Sequence, residues 1–399
     1  MQETKSKKQS HTASARKVKS RLKSDYYDYS LVAVIVLLIC FGLVMLYSTS
    51  SYMAEMKQGD DMFYFKKQAL ISLVCIGIAL VISMIDYHIL NYFSTILYVA
   101  AVALMALVKT PLGSAANGAQ RWLQLGPIQF QPSELAKVAV IVTIPYMIVG
   151  MGRRVRSLKA CMVLGLWGGL LAFLAYWLTD NLSTAIIIFC ITLGLIFVAH
   201  PDTKIFLILG GSAVAIIAAV VMFLNATLTV SEDISFRVRR IMVWLHPEDF
   251  ADSWGYQTIQ ALYAIGSGGF FGRGLGNSIQ KLGSVPEAQN DMIFSIVCEE
   301  LGIFGGMLVM LLYAYLLYRL FFIAQNAPDM FGSLMVSGVF IHIALQVILN
   351  IAVVVNLLPN TGVTLPFISY GGTSIVFLMA EMGLALSVAR QIKFHENSA

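Results

Sequence analysis

The chain has 399 residues, of which 58% are hydrophobic and 12% are charged, with a net charge of +5. A soluble domain carries about a quarter charged residues, so composition excludes a soluble globular protein. A bilayer core about 30 Å thick requires roughly 20 apolar residues per helix, and such runs recur from residue 31 to residue 390. Because the runs do not alternate with polar residues, they predict a helical bundle rather than a barrel.

The predicted fold is an all-α, polytopic membrane protein with about ten transmembrane helices. Residues 1–24 form a basic tail that we predict to be disordered and cytoplasmic, where it either contacts anionic lipid or only sets orientation. An even number of spans then places the short end 395–399 on the same side. Residues 25–394 form the membrane domain. The predicted spans are 31–49, 68–85, 90–108, 135–152, 161–178, 183–199, 205–229, 292–318, 333–355 and 373–390.

Three polar loops fall on the extracytoplasmic side, namely 109–134, 230–291 and 356–372. The longest loop, 230–291, conflicts with the rule that basic residues stay inside, although long loops translocate largely regardless of charge. Its basic residues therefore require another explanation; they are Arg237, Arg239, Arg240, Arg273 and Lys281.

The first loop places charges at the membrane edge. Ser133 can cap the helix that follows, and Glu134 is favourable near its positive end. Lys137 already belongs to an apolar helix, where a charge is costly, so it either extends its side chain to the surface or faces a polar cavity. Arg121 lies earlier in the same loop.

The long loop contains a short amphipathic pattern followed by a glycine run. Gln257, Gln260 and Ser267 can share one side of a helix that ends where the glycines begin. Dense glycines allow backbone amides to approach an anion, and Arg273 and Lys281 add positive charge. An ordinary flexible loop has the same composition.

Asp291 closes this loop and opens the next span. If residues 291–302 are helical, Asp291 shares a narrow face with Ser295, Cys298 and Gly302, while Glu300 lies opposite. Apolar surroundings would raise the pKa of the Asp291 carboxyl and suit it to act as a general base. The alternative is a helix N-cap.

The last loop, 357–374, has two prolines and paired glycines, which predict a rigid re-entrant turn lining a cavity. Gln346 and Asn350 precede it and are expected to form hydrogen bonds between helices, and Glu381 follows it. The five cysteines show no paired spacing and are expected to be reduced packing residues. The six histidines show no metal-ligand spacing.

Four motifs occur in order, NGAQRWL with QPSELAK, GYQ with AIGSGGFFGRGLGNS, KLGSVPEAQNDMIFSIVCEELG, and LLPNTGVTLPFISYGGTS. Together they resemble the signature loops of the SEDS family of shape, elongation, division and sporulation proteins, over residues 25–390. The PEAQNDMIF segment resembles the FtsW branch more than RodA. Departures from the family pattern are Met292, where many relatives have Phe, and Ser183, where relatives often have Gly.

The resemblance implies a peptidoglycan glycosyltransferase that polymerises lipid II at the outer face of the cytoplasmic membrane, for septal cell-wall synthesis. It places the catalytic carboxylate on Asp291. The matching motifs hold the expected substrate- and pyrophosphate-binding residues, which are Arg121, Glu134, Lys137, Gln257, Gln260, Ser267, Lys281, Glu287, Ser369 and Tyr370.

The implied partners are lipid II, a class B penicillin-binding transpeptidase, other division proteins and membrane lipid, with no nucleic acid. No cofactor is obligatory, and a divalent cation at the pyrophosphate is the alternative. Two other functions remain open at the level of sequence. One is a flippase for the same lipid, and the other is a non-catalytic scaffold for the transpeptidase.

Overall fold

The computed structural model describes residues 27–116, 119–126, 128–227 and 236–393. The predicted tail 1–24 and the end 395–399 lie outside these ranges. The described part contains twelve α-helices and three short strands. Their bounds are α1 Tyr29–Gln58, α2 Phe63–Met84, α3 Ile89–Leu107, β1 Gly113–Ala116, β2 Ala119–Leu125, β3 Ile128–Phe130, α4 Pro132–Met151, α5 Leu158–Leu178, α6 Leu182–Ala199, α7 Thr203–Thr227, α8 Phe236–Leu245, α9 Tyr256–Gly268, α10 Ile293–Asn326, α11 Met330–Val354 and α12 Ser374–Arg390.

The helical architecture confirms the predicted fold class. Within the described residues, nine helices are at least 18 residues long and apolar enough to cross a membrane. The 17-residue α12 is slightly shorter, and each of the ten predicted spans coincides with a helix. Polar caps define several starts, because Asp28, Asn181 and Asp329 each accept a backbone N–H from the first turn of the helix that follows. All five cysteines lie in the described part, where Cys75 and Cys298 are buried packing residues and Cys40 is exposed.

Helix α4 forms the centre of the bundle. Its side chains from residue 136 to residue 145 are all buried, and it packs against α3, α5, α6, α11 and α12. A helix that is apolar on all sides must be surrounded in this way. By contrast, nearly every described side chain of α7 is exposed, so this apolar helix stands apart from the core.

The loop predicted at 109–134 contains a feature that the sequence interpretation missed. Strands β1, β2 and β3 form a small antiparallel sheet in that order, with a bulge between Ser114 and Ala115. Strand β2 is the central strand, and its Leu123 is buried. Strands this short give little periodicity from which to predict them.

The long loop is largely structured where it is described. Helix α8 is followed by a helical turn at Pro247–Phe250 and then by α9. Helix α9 is the short helix predicted around Gln257, Gln260 and Ser267, and it ends at Gly268, where the glycine run begins. It packs against α10, which holds this loop on the end of the bundle.

Helix α10 is broken at Gly302, which has a φ of 69° and a ψ of −166°. The glycine run repairs the break. Arg273 N and Gly274 N donate to the carbonyls of Glu299 and Glu300, while the N–H groups of residues 303 and 304 donate to the carbonyls of residues 269 and 270. Backbone groups released by a helix break at membrane depth need such partners.

Residues 355–373 form a re-entrant loop, as predicted. The loop buries Leu365, Phe367 and Ile368, and it reaches α1, where a Cβ at Gly42 would lie 2.6 Å from Phe367 O. Tyr313 of α10 donates its hydroxyl to Pro366 O. The non-helical backbone of this loop is therefore enclosed by protein within the helical bundle.

Candidate active site

Asp291 lies at the end of the bundle that carries the sheet and the two long loops, just before α10. Asn350 of α11 donates from Nδ2 to Asp291 O and to Val363 O, both at 2.7 Å. These two bonds join the Asp291 turn to α11 and to the re-entrant loop. Residues 291–302 do not form the continuous helix that was considered, because α10 begins at Ile293 and breaks at Gly302.

The Asp291 side chain is buried and has one carboxyl oxygen without a partner among the described residues. It is 9% exposed, and Oδ1 has no hydrogen-bond partner among the described residues. Met292 occupies the cap position of α10 without a side-chain cap bond, which contradicts the N-cap alternative. Burial raises the pKa of the Asp291 carboxyl to about 7, its own N–H and Arg240 act to lower it, and Glu287 acts to raise it.

Two arginines share the electrostatic environment of Asp291. Burial lowers the pKa of Arg240, the charge of Arg121 lowers it further, and Asp291 raises it. Arg121 donates from Nη2 to Asp180 O at 3.0 Å, and its Nε is buried with no partner among the described residues. Two partly desolvated cations close to each other favour binding of an anion between them.

A cavity of about 590 Å³ opens beside this group. Arg240 and Asn360 line it. Asn360 is two residues before Gly362, and a Cβ on Gly362 would lie 3.9 Å from Asp291 Oδ2. The full lining is Arg239, Arg240, Val243, Trp244, Ser253, Trp254, Gln257, Thr258, Asn356 and Asn360. A polar cavity whose Arg240 also acts on the buried Asp291 carboxyl is the candidate substrate site.

Backbone strain concentrates around the site. Asp180, Glu287, Asn356 and Phe367 are non-glycine residues with positive φ, between 48° and 64°. Each lies in a loop at the Asp291 end of the bundle. Such conformations persist only where surrounding contacts enforce them, and they are frequent at functional sites.

Lys137 and Glu134 form a buried ion pair. Lys137 Nζ lies 3.0 Å from Glu134 Oε1, and their side chains are 3% and 10% exposed. Lys137 thus faces neither lipid nor an open cavity. Ser133 does not cap α4, because the cap position is Gln131, which donates a side-chain bond to the Ser133 hydroxyl at 2.9 Å.

Lys281 belongs to a second polar cluster, centred on the break in α10. Its Nζ lies 2.8 Å from Glu300 Oε1 and 3.0 Å from Ser48 Oγ of α1. Glu299 accepts a bond from the Ser278 hydroxyl and another from Ile279 N at 3.1 Å. The positive charge of Lys281 is therefore matched by a buried carboxylate.

The glycine run acts as a packing surface rather than as the anion cradle considered from its composition. The amides of Arg273 and Gly274 are bonded to carbonyls of α10. A Cβ at Gly268 would lie 1.9 Å from Cys298 O, and one at Gly272 would lie 2.2 Å from Glu300 O. These glycines allow close contact with the broken helix.

The remaining predicted residues lie around the site end. Gln257 accepts from Asn360 Nδ2 at 2.9 Å and lines the cavity, while Glu287 is exposed and bonded to Asn290. Ser369 accepts from Leu365 N inside the re-entrant loop, and Tyr370 N donates to Gln289 O. Gln260 is half-buried on α9.

Ser267 lies near the end of α9, where its hydroxyl donates to Ala264 O and its carbonyl accepts from Arg273 Nε. These bonds connect it to the glycine run rather than to Asp291. Among the described residues, no three His, Cys, Asp or Glu side chains group as metal ligands. The alternative of a divalent cation stays a prediction.

Sequence comparison identifies the family. The profile of the FtsW, RodA and SpoVE family, described as cell cycle proteins, matches residues 29–394. The chain belongs to this family. It is 36% identical to stage V sporulation protein E of Bacillus subtilis over 92% of this chain and 98% of that protein. It is also 36% identical to the probable peptidoglycan glycosyltransferase FtsW of the same species, over 95% of this chain and 94% of that protein.

Solved members of the FtsW, RodA and SpoVE family share the fold. A chain of a peptidoglycan synthase complex that coordinates polymerization and crosslinking has a TM-score of 0.74 at 26% identity, covering 91% of this chain and 98% of that one. The rod shape determining protein RodA of Thermus thermophilus has a TM-score of 0.64 at 26% identity, covering 92% and 98%. These findings confirm the predicted family, and the FtsW and SpoVE relatives support its FtsW-like branch.

Arg240 and Asn350 were not assigned to the site of this family member from its sequence. The signal for Arg240 was present, because a run of basic residues in a predicted outside loop lacked an explanation. Asn350 was expected to bond to another helix, but its acceptors are the carbonyls of Asp291 and Val363, which both lie in loops. Only the folded structure brings α11 to that turn.

Proposed function

We propose that the protein is a peptidoglycan glycosyltransferase that polymerises lipid II, with Asp291 as its general base. The observation that carries the proposal is the buried Asp291 carboxyl with an unpartnered Oδ1 beside Arg240 and a cavity. The names of the FtsW relatives support the same activity. A carboxyl with a pKa of about 7 balances proton affinity against availability of the charged form.

In the proposed reaction, a sugar hydroxyl of the acceptor attacks the anomeric carbon of a lipid-linked donor. The acceptor oxygen forms a glycosidic bond to that carbon, and the bond between that carbon and the diphosphate oxygen breaks. Asp291 Oδ1 takes the hydroxyl proton, and the polyprenyl diphosphate leaves as an anion. Arg240 and Arg121 would stabilise the leaving charge.

A second carboxylic acid is unnecessary for this chemistry. Glycoside hydrolysis needs an acid to protonate a sugar oxygen, whereas a diphosphate leaves without protonation. Glu134 and Glu300, two of the buried acids, are each engaged with a lysine. A single base with surrounding cations is therefore sufficient.

The cellular setting follows from the same proposal. The apolar helices support a multi-pass membrane protein. We place it in the cytoplasmic membrane with both termini inside and Asp291 outside, acting at the division septum with a class B penicillin-binding transpeptidase and other division proteins. The complex among the structural relatives, which joins polymerization to crosslinking, supports such a partner.

The test compares purified wild type with Asp291→Asn on lipid II, with products resolved on a gel. Asp252→Asn is the matched control, because Asp252 is an exposed carboxylate in the same long loop. We expect polymer from wild type and from Asp252→Asn, and a loss of at least about a hundredfold from Asp291→Asn. Normal polymerisation by folded Asp291→Asn would refute the role of Asp291.

The two alternative functions give different results in the same preparation. A flippase would move lipid II across vesicles without forming polymer. A scaffold would do neither, and Asp291→Asn would support growth in cells. Polymer from the wild type excludes the scaffold.

A further inference from the structure

The lining of the cavity beside Asp291 is mostly uncharged. Its only charged lining residues among those described are Arg239 and Arg240, so it would repel a cationic ligand. The rest of the lining combines two tryptophans with amide and hydroxyl side chains. The non-arginine members are Val243, Trp244, Ser253, Trp254, Gln257, Thr258, Asn356 and Asn360.

Trp254 forms an exposed platform in this lining. It is 48% exposed, and the Arg239 guanidinium carbon lies 3.5 Å from the centroid of its ring. A guanidinium stacked on one face of an indole holds the ring in place through a cation–π contact. The orientation of Trp254 is therefore set before any ligand binds.

The walls near Trp254 are also held in place. Trp244 donates from Nε1 to Asn356 O at 3.1 Å, and Asn356 Nδ2 donates back to Trp244 O at 3.4 Å. Gln257 donates to Pro286 O at 3.3 Å and accepts from Asn360. These bonds fix α8, α9 and the re-entrant loop around one space, which is a preorganised arrangement.

A pyranose ring matches this lining. Its axial C–H groups form an apolar face that stacks on an indole, and its hydroxyl and acetamido groups exchange hydrogen bonds with amide and hydroxyl side chains. We propose that this cavity holds a neutral N-acetylated sugar of the growing glycan strand, stacked on Trp254. This inference rests on the proposed polymerase function and adds Trp254 as a residue that holds the strand without taking part in the bond-forming step.

Trp254 has a simpler explanation as an aromatic anchor at the membrane surface, where tryptophan is common. An anchor would contact lipid and would not recognise sugar. The two roles differ in one measurable property, the affinity for a soluble oligosaccharide. Trp177 is a suitable control, because it is a 64% exposed tryptophan on α5 that does not line the cavity.

The experiment titrates the full-length protein in detergent with a β-1,4-linked tetramer of N-acetylglucosamine, by calorimetry. We expect Trp254→Ala to weaken binding about tenfold or more, Trp254→Phe to retain most of it, and Trp177→Ala to match wild type. An absence of binding by wild type, or a loss below twofold in folded Trp254→Ala, overturns the subsite. An equal loss in Trp177→Ala does so as well.

Asp291→Asn separates this inference from the proposed function. If both are correct, the variant binds the tetramer like wild type and forms no polymer. If it polymerises lipid II, the role of Asp291 fails while the sugar titration still decides on Trp254. A second readout is strand length, which we expect Trp254→Ala to shorten because the strand dissociates sooner.

Discussion

The ion pair between Lys281 and Glu300 should make the protein sensitive to the loss of either partner alone, because the pair is buried at the break in α10. The two side chains are 8% and 0% exposed, and the nitrogen–oxygen distance is 2.8 Å. Glu300 also accepts from Ser48 Oγ at 2.7 Å. Removing Lys281 would therefore leave a buried carboxylate with only uncharged donors.

The expected loss in Lys281→Met is about 3–5 kcal/mol of unfolding free energy, the usual result of removing one partner of a buried pair. Glu300→Gln should lose a similar amount, because it strands the ammonium group. The double variant Lys281→Met with Glu300→Gln removes both charges and should lie within about 1 kcal/mol of wild type. The two sites are thus expected to be strongly coupled.

The measurement is denaturant unfolding in detergent for all four proteins. Arg273→Met is the control, because the Arg273 side chain is 35% exposed and its Nη1 lies 3.5 Å from Glu299 Oε1. This variant should lose about 1 kcal/mol of unfolding free energy. Additive losses in the double variant would show that the pair does not act as a unit. They would refute the interpretation of this cluster as a charge-matched clamp.

Three further predictions concern the site and its support. Arg240→Gln removes a charge that lowers the pKa of Asp291, so the rise of polymerase activity with pH, expected near pH 7, should move to higher pH in a rate profile. Asn350→Leu removes the bond that holds the Asp291 turn, so it should reduce kcat about tenfold or more with little change in KM. Gln346→Leu is the control, because it removes a bond to the re-entrant loop but not to Asp291, and it should have a smaller effect. Gly272→Ala should destabilise the protein by about 1–3 kcal/mol or more in thermal unfolding, because its φ is 79° and its Cβ would collide with a carbonyl of α10.

Composition and long apolar runs were sufficient to predict the helical bundle, because lipid restricts the backbone to few solutions. Ten predicted spans coincide with helices for this reason. The sheet in the first loop was missed, since its longest strand, Ala119–Leu125, has seven residues and its pairing depends on contacts across turns. Helix breaks are equally hard to predict, because Gly302 lies within an otherwise ordinary helical sequence.

Sequence was sufficient to select Asp291 as a candidate, but it did not predict which residues surround Asp291 in the fold. The position of Asp291 between a polar loop and an apolar helix made it a candidate base or N-cap, and the family resemblance selected the base role. Its partners come from distant segments. Lys137 and Lys281 were expected to bind an anionic substrate group, but each forms an ion pair with a glutamate. Helix geometry brings Glu134 to Lys137, and the break in α10 brings Glu300 to Lys281. Sequence shows that a charge is present, whereas only the fold shows which charges are already neutralised.

The repaired break in α10 also has a consequence for biosynthesis. The glycine run precedes α10 in the chain, so its backbone amides are synthesised before the helix carbonyls to which they will donate hydrogen bonds. Until the two meet, the half-helix next to Asp291 has bare peptide groups in a medium without water to bond them. We expect the half-helix that follows Asp291 to acquire its final form late, when this loop docks.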